Sequence, residues 1–238
     1  MRATHQAGLV ALALGMALTA GGCGSGAGDS TPPAGSASTT AVAPTDASTE
    51  EPTQPAPERP HLDLDDPGLV VQVPEGWTER SLTELRASIA ADLMDSPPAV
   101  RRILREMIGQ IDSGVIVGQL DGPSSDGGFT PSVVISVETG DPSLAAAATR
   151  RTRYLQDVDD VDLEWEVSLR DPISLPVGRS VRIIAYQDPP ESHGVPSQSI
   201  EFVLFIDGRT VSFAGTAPTA DGHFSGVMSD LSASLSRS

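Results

Sequence analysis

Residues 200–216 leave the chain little choice of local structure. Ile200-Glu-Phe-Val-Leu-Phe-Ile206 runs into Asp207-Gly208, and Arg209 to Thr216 leads away. Asp-Gly readily takes the left-handed conformations of a two-residue hairpin turn, whose twist matches that of the flanking strands. Such a turn sets the register: Ile206 opposite Arg209, Leu204 opposite Val211, Phe202 opposite Phe213. One face of the hairpin is then aromatic and aliphatic. The other, pairing Phe205 with Thr210, Val203 with Ser212 and Glu201 with Ala214, is mixed. A lone hairpin is marginal in water, so the rest of the chain must bring more strands and a cover.

It does both. Leu69 to Val73 reads as a strand closed by Pro74-Glu75-Gly76-Trp77. Ser81 and Glu84 form a capping-box pair ahead of Leu82, Leu85, Ile89 and Leu93, an amphipathic helix. After Ser96-Pro97-Pro98 a second helix carries the stripe Val100, Ile103, Leu104, Met107, Ile108 and Ile111, with Arg101, Arg102 and Arg105 off it. Gly114 to Leu120 and Ser132 to Glu138 are strand-like, joined by a polar loop. Asp141-Pro142 reads as a cap and first position of a helix running to about Gln156. Leu163 to Leu169 and Val177 to Tyr186 are strand-like. Phe224, Val227, Met228, Leu231 and Leu235 form the inner stripe of a closing helix. The order β-α-α-β-β-α-β-β-β-β-α predicts an α+β fold, an antiparallel β-sheet covered by helices.

The N-terminus is of another kind. Arg2, then the uncharged apolar run Gly8 to Ala20, then small residues, has the order of a secretory signal peptide. The run is shorter than the roughly 20 apolar residues that span a bilayer. Ala20-Gly21-Gly22-Cys23 resembles the lipobox of bacterial lipoproteins, with Ala20 standing where that pattern prefers a branched residue. The resemblance implies cleavage after residue 22 and a diacylglyceryl group on the Cys23 thiol. Two or three acyl chains suffice for stable anchoring. Residues 24–60 are Gly, Ser, Thr, Ala and Pro with a few acids, too poor in large apolar side chains to order themselves. As a coil they span about 35 Å, extended about 110 Å. The expected organisation is a signal peptide over 1–22, a lipidated disordered linker over 23–60 and one folded domain over 61–238. The expected location is the extracytoplasmic face of the cell membrane.

Charge and composition then exclude several classes. From His61 onward, 27 acidic residues stand against 13 basic ones, so this region carries −14 of the chain's −17. That argues against nucleic acid as a partner and against a face lying flat on anionic lipid. The single cysteine leaves no disulfide to staple the domain, which must rest on its core. All 15 basic residues are Arg, and neither Lys nor Asn occurs. Both are encoded by codons beginning AA, so the expected source is a GC-rich actinobacterium.

The Pro74-Glu75-Gly76-Trp77 turn after a first strand, the late Asp207-Gly208 hairpin running into Thr216-Ala217-Pro218, and the closing amphipathic helix resemble the LpqN-type lipoproteins of mycobacteria and their relatives. The resemblance covers roughly Leu69 to Leu235, together with the lipobox and linker. It implies a PsbP-like fold, an antiparallel sheet in an α/β/α sandwich. It brings no catalytic residues with it, and it implies an envelope lipoprotein that acts through binding.

The residues themselves show no catalytic constellation. His61, His193 and His223 are scattered, without a metal-ligand spacing such as His-x-x-x-His. The run Asp157 to Glu164 imitates a calcium loop, but Val161 and Asp162 stand where the EF-hand pattern needs an oxygen ligand and glycine. It reads as a solvated acidic turn. There is no Gly-x-Ser-x-Gly elbow, and a Ser-x-x-Lys pair is impossible without Lys. No metal or cofactor is expected. Arg150, Arg151 and Arg153 form one basic cluster, expected to offset the acids at 157–164. Arg182 and Tyr186, alternating with Val181, Ile183 and Ala185, fall on the less apolar face of their strand and are the candidate lining of a binding cleft. The expectation is a non-enzymatic module for an envelope protein or an amphiphile. The alternatives are an envelope hydrolase with an unrecognised site and a structural subunit of a membrane complex.

Overall fold

The computed structural model describes residues 60–95, 98–124, 129–156, 165–187 and 196–238. The expected hairpin is its centre. Strands β8 (Ser197–Ile206) and β9 (Arg209–Pro218) pair in the register read from the turn: Ile206 with Arg209, Leu204 with Val211, Phe202 with Phe213. Asp207 and Gly208 both have positive φ, 51° and 78°, as the turn demands.

Five more strands flank the hairpin: β3 (Thr78–Arg80), β4 (Ile116–Asp121), β5 (Ser132–Thr139), β6 (Glu166–Leu175) and β7 (Gly178–Gln187). Together they form one antiparallel sheet in the order β3-β4-β5-β9-β8-β7-β6. A second, small sheet joins β1 (His61–Leu64), β2 (Leu69–Gln72) and the two-residue β10 (Ser236–Arg237) in the order β1-β2-β10. Among the described residues the helices are α1 (Leu82–Asp95), α2 (Pro98–Asp112), α3 (Leu144–Gln156) and α4 (Phe224–Ala233). This is the α+β antiparallel arrangement expected.

Both faces of the large sheet are covered. On one, Phe202, Phe213, Ile135 and Leu204 form the main core with Leu64, Leu69 and Val71 of the small sheet and Phe224, Met228 and Leu231 of α4. Trp77 stacks on Phe224, ring centroids 6.4 Å apart, and fixes the chain's approach to β3. On the other face α1 and α2 press Leu85, Ile89, Leu104 and Met107 onto Ile116, Val134 and Ala214. Beside them α3 sets Ala147 and Leu155, with Trp165, against Ile183, Ala185 and Val203.

Several expectations need correction. Three strands precede α1 where the sequence shows one, and a third extra strand follows α4. These pieces are two to four residues long, too short for a period to emerge. One cover of the sandwich is therefore a helix plus a small sheet rather than helices alone. The strand expected at Leu163 to Leu169 runs instead from Glu166 to Leu175, with residues 163 and 164 outside the described residues. Pro172 does not break it, because β6 is an edge strand with one unpaired side.

At α3 the cap is Ser143, whose Oγ accepts from Ala146 N–H at 3.3 Å. Asp141 is engaged elsewhere. The capping box of α1 does form: Glu84 N–H donates to Ser81 Oγ at 3.2 Å, and Ser81 N–H to Glu84 Oε2 at 3.2 Å.

Candidate functional site

Arg182 and Tyr186 lie on β7 with Ile184 between them on one face. The register sets Arg182 beside Phe202 and Ile184 beside Ile200, so this is the face that carries the main core. Toward the edge strand the core thins out. Asp171 is the cross-strand partner of Arg182 and accepts from it twice, at 3.1 and 2.9 Å. One pair further along, Leu169 faces Ile184 across a bulge between Val167 and Leu169. Leu169 is 37% exposed and Tyr186 41%, whereas Ile184 packs against the core. The result is an apolar platform of Leu169, Ile184 and Tyr186, flanked by a half-buried ion pair.

The opposite face holds a second set of polar groups that sequence reasoning missed. Adjacent strands pair Asp121 with Ser132, Ser132 with Thr216, and Thr216 with Ser199, so four polar residues cross the sheet in one row. Spacing of about 4.8 Å between strands makes the row about 14 Å long. Gln119 and Glu201 stand one step along their strands from it. All six are at least nine-tenths buried. Gln119 Nε2 donates to Asp121 Oδ1 at 2.6 Å, and Asp121 pairs with Arg80 at 2.7 Å. At that edge an open groove of about 380 Å³ is lined by Thr78, Glu79, Arg80, Glu84, Ser88 and Asp121. Further in, Gln119 Oε1, Ser199 Oγ, Thr216 Oγ1, Glu201 Oε2, Trp165 Nε1 and both amide atoms of Gln187 are buried without a hydrogen-bond partner. A buried polar group left without any partner, water included, costs about 1–3 kcal/mol.

The strands did advertise some of these positions, since Leu120 stands between Gln119 and Asp121 and Ile200 between Ser199 and Glu201. Alternation of this kind is also what a solvent-facing strand shows, and the two cases differ only in what lies on top.

The basic cluster of α3 is divided. Arg151, 2% exposed, donates through Nε to Glu201 Oε1, and lies 3.7 Å from Glu138. Arg150 pairs with Glu138 and Asp141, both at 2.7 Å, and Thr210 Oγ1 donates to Asp141 at 2.8 Å. Both guanidiniums thus neutralise carboxylates of β5, β8 and the loop before α3. The expected partners at 157–164 lie outside the described residues, as does His193. Burial alone would raise the Asp141 carboxyl. The hydrogen bonds from Arg150 and Thr210, with the charges of Arg150 and Arg151, outweigh it and hold the group below the usual carboxylate range. Glu106 on α2 shows the reverse, pushed up by burial against a weaker pull from Arg102.

Among the described residues no group of three or more His, Cys, Asp or Glu is placed to hold a metal ion. His61 lies 3.6 Å from Asp63 and His223 precedes α4. No helix among them is long and apolar enough to cross a membrane. Cys23 lies outside the described residues.

The arrangement defines the chain as an α+β protein with an antiparallel sheet covered on both faces. Solved structures resemble it. They include cyanobacterial PsbP (CyanoP) from Synechocystis sp. PCC 6803, with a TM-score of 0.44 and 13% identity over 75% of this chain and 92% of that one. LpqN of Mycobacterium tuberculosis, described as involved in cell envelope biogenesis, gives 0.42 and 12% over 75% and 90%. A Bacteroides thetaiotaomicron protein gives 0.40 and 9% over 76% of this chain and 48% of its own. No protein-family model matches the sequence, and no curated protein matches it.

Proposed function

We propose that this protein is an LpqN-type envelope lipoprotein, held at the extracytoplasmic face of the cell membrane by lipid on Cys23. Its folded region acts as a non-enzymatic binding module for an envelope protein or an amphiphile. The lipobox, the Gly/Ser/Thr/Ala/Pro spacer and the Pro74-Glu75-Gly76-Trp77 turn support the first half. One observation carries the second: Tyr186 and Leu169 stand exposed on the core face of the sheet, beside an Arg182–Asp171 pair that can orient a polar group. An amphipathic tyrosine over an apolar platform is the kind of surface on which binding energy concentrates.

The test is capture from crosslinked envelope with the full lipidated chain. The wild type should retain a specific protein or lipid and turn over no ester, peptide or glycoside probe. Tyr186→Ala should weaken retention several-fold with melting unchanged. Turnover that survives purification and is lost on a single Ser or His substitution would make the protein an enzyme. Retention of nothing would make it a structural subunit.

A further inference from the structure

We propose that α3 is a displaceable cover, lifting from the sheet as a unit while the strands beneath it and the other helices stay in place. Its grip on the sheet is unusual in chemistry. Among the described residues the fully buried positions of α3 are Ala147, Ala148, Arg151 and Leu155: two methyl groups, a guanidinium and one large apolar side chain. The neighbouring α1 and α2 bring Leu85, Ile89, Ile103, Leu104 and Met107 to the same sheet face. The apolar part of a helix's hold scales with the apolar area buried, so in that part α3 is the weaker element.

The centre of its contact is the buried Arg151–Glu201 ion pair, 2% and 1% exposed. Removing both charges from water offsets much of their attraction, and an apolar pair of similar size would bind as well or better. Arg150 is less deeply buried, and its pairs with Glu138 and Asp141 sit where water can replace them on opening.

The floor beneath gains from opening. Glu201 Oε2 and Trp165 Nε1 have no protein partner while α3 is down. Trp165 packs with Leu155 of α3, and Glu201 is held by Arg151, so these groups become hydrated when the helix leaves. That recovery lowers the cost of a partial opening below the cost of global unfolding. Lifting α3 also adds the hydrogen-bonding groups of the floor to the surface offered to a partner. This surface is on the opposite sheet face from Tyr186, so the proposal stands or falls apart from the platform.

Native-state hydrogen exchange on the full chain tests it. Amides of α3 should exchange about tenfold or more faster than those of β8 and β9, with little denaturant dependence, through an opening that leaves α4 protected. Replacing the ion pair by an apolar one, Arg151→Met with Glu201→Leu, should slow exchange of α3 about tenfold and leave α4 unchanged. Exchange of α3 at the same rate and denaturant dependence as β8 and β9 in the wild type would overturn the proposal. So would a double variant that folds but slows α3 no more than α4. The wild-type comparison decides by itself if the double variant fails to fold.

Discussion

Asp141 shows how a single residue is assigned its task by its surroundings. Next to Pro142 it reads as a helix cap, yet in the fold Arg150 and Thr210 both reach its carboxylate and Ser143 takes the cap. The lowered carboxyl makes a stability statement with a definite sign. A folded-state value below the unfolded one means stability that is present above about pH 4 and lost as pH falls through the folded value. The urea midpoint should therefore drop on acidification below pH about 4. Asp141→Asn should be less stable at pH 7, because Arg150 loses a charged partner, and should show a shallower acid drop. An identical acid limb in the variant would show that other carboxylates control it. Glu106 has the opposite sign, its burial favouring the protonated form as pH falls. The task of Asp141 could not be read locally, since its partners Arg150 and Thr210 lie 9 and 69 residues away.

At the scale of elements, the late hairpin was fully legible because its turn dictates its register, and its facing pairs appear as read. Phe202 and Phe213 meet in the main core, so Phe213→Ala should cost about 3–5 kcal/mol in denaturant unfolding. Nearly unchanged stability would mean that α4 and the small sheet collapse into the space.

How close α4 comes to β9 could not be read. A Cβ on Gly215 would lie 2.5 Å from Met228 Sδ and 2.8 Å from Phe224 Cζ. The methionine end can swing away, but the Phe224 ring is held by Trp77. Gly215→Ala should then cost about 1–3 kcal/mol by overpacking, read as a lower melting temperature with tryptophan fluorescence altered. An unchanged melting temperature would mean that α4 shifts freely. The capping box of α1 was equally plain, since both its partners sit within three residues. The strands β1, β3 and β10 were not, being too short to carry a pattern and existing only through the strands they pair with.

For the whole molecule, the anchor reading rests on the first 23 residues and is independent of the fold. Cys23→Ala should abolish labelling by a fatty-acid analogue and send the protein to the medium or leave an uncleaved precursor. Labelling that persists would overturn the anchor reading. The sequence by itself determined the order of strands and helices apart from β1, β3 and β10, the core hairpin and its register, and the placing of Arg182 and Tyr186 on one face. These follow from turn chemistry and side-chain period, both of which act over a few residues. Only the tertiary structure decided that the mixed face of the hairpin is buried rather than wet, and that Arg150 and Arg151 are internal ion-pair partners. It also decided that a row of hydroxyls, amides and carboxylates lies under helices with some atoms unpartnered. The physical reason is that alternation separates the two faces of a strand without saying what covers either one. Desolvation acts only when a second layer arrives, and here it arrives from α1, α2 and α3, which reach residues as distant in sequence as Ala214 and Val203.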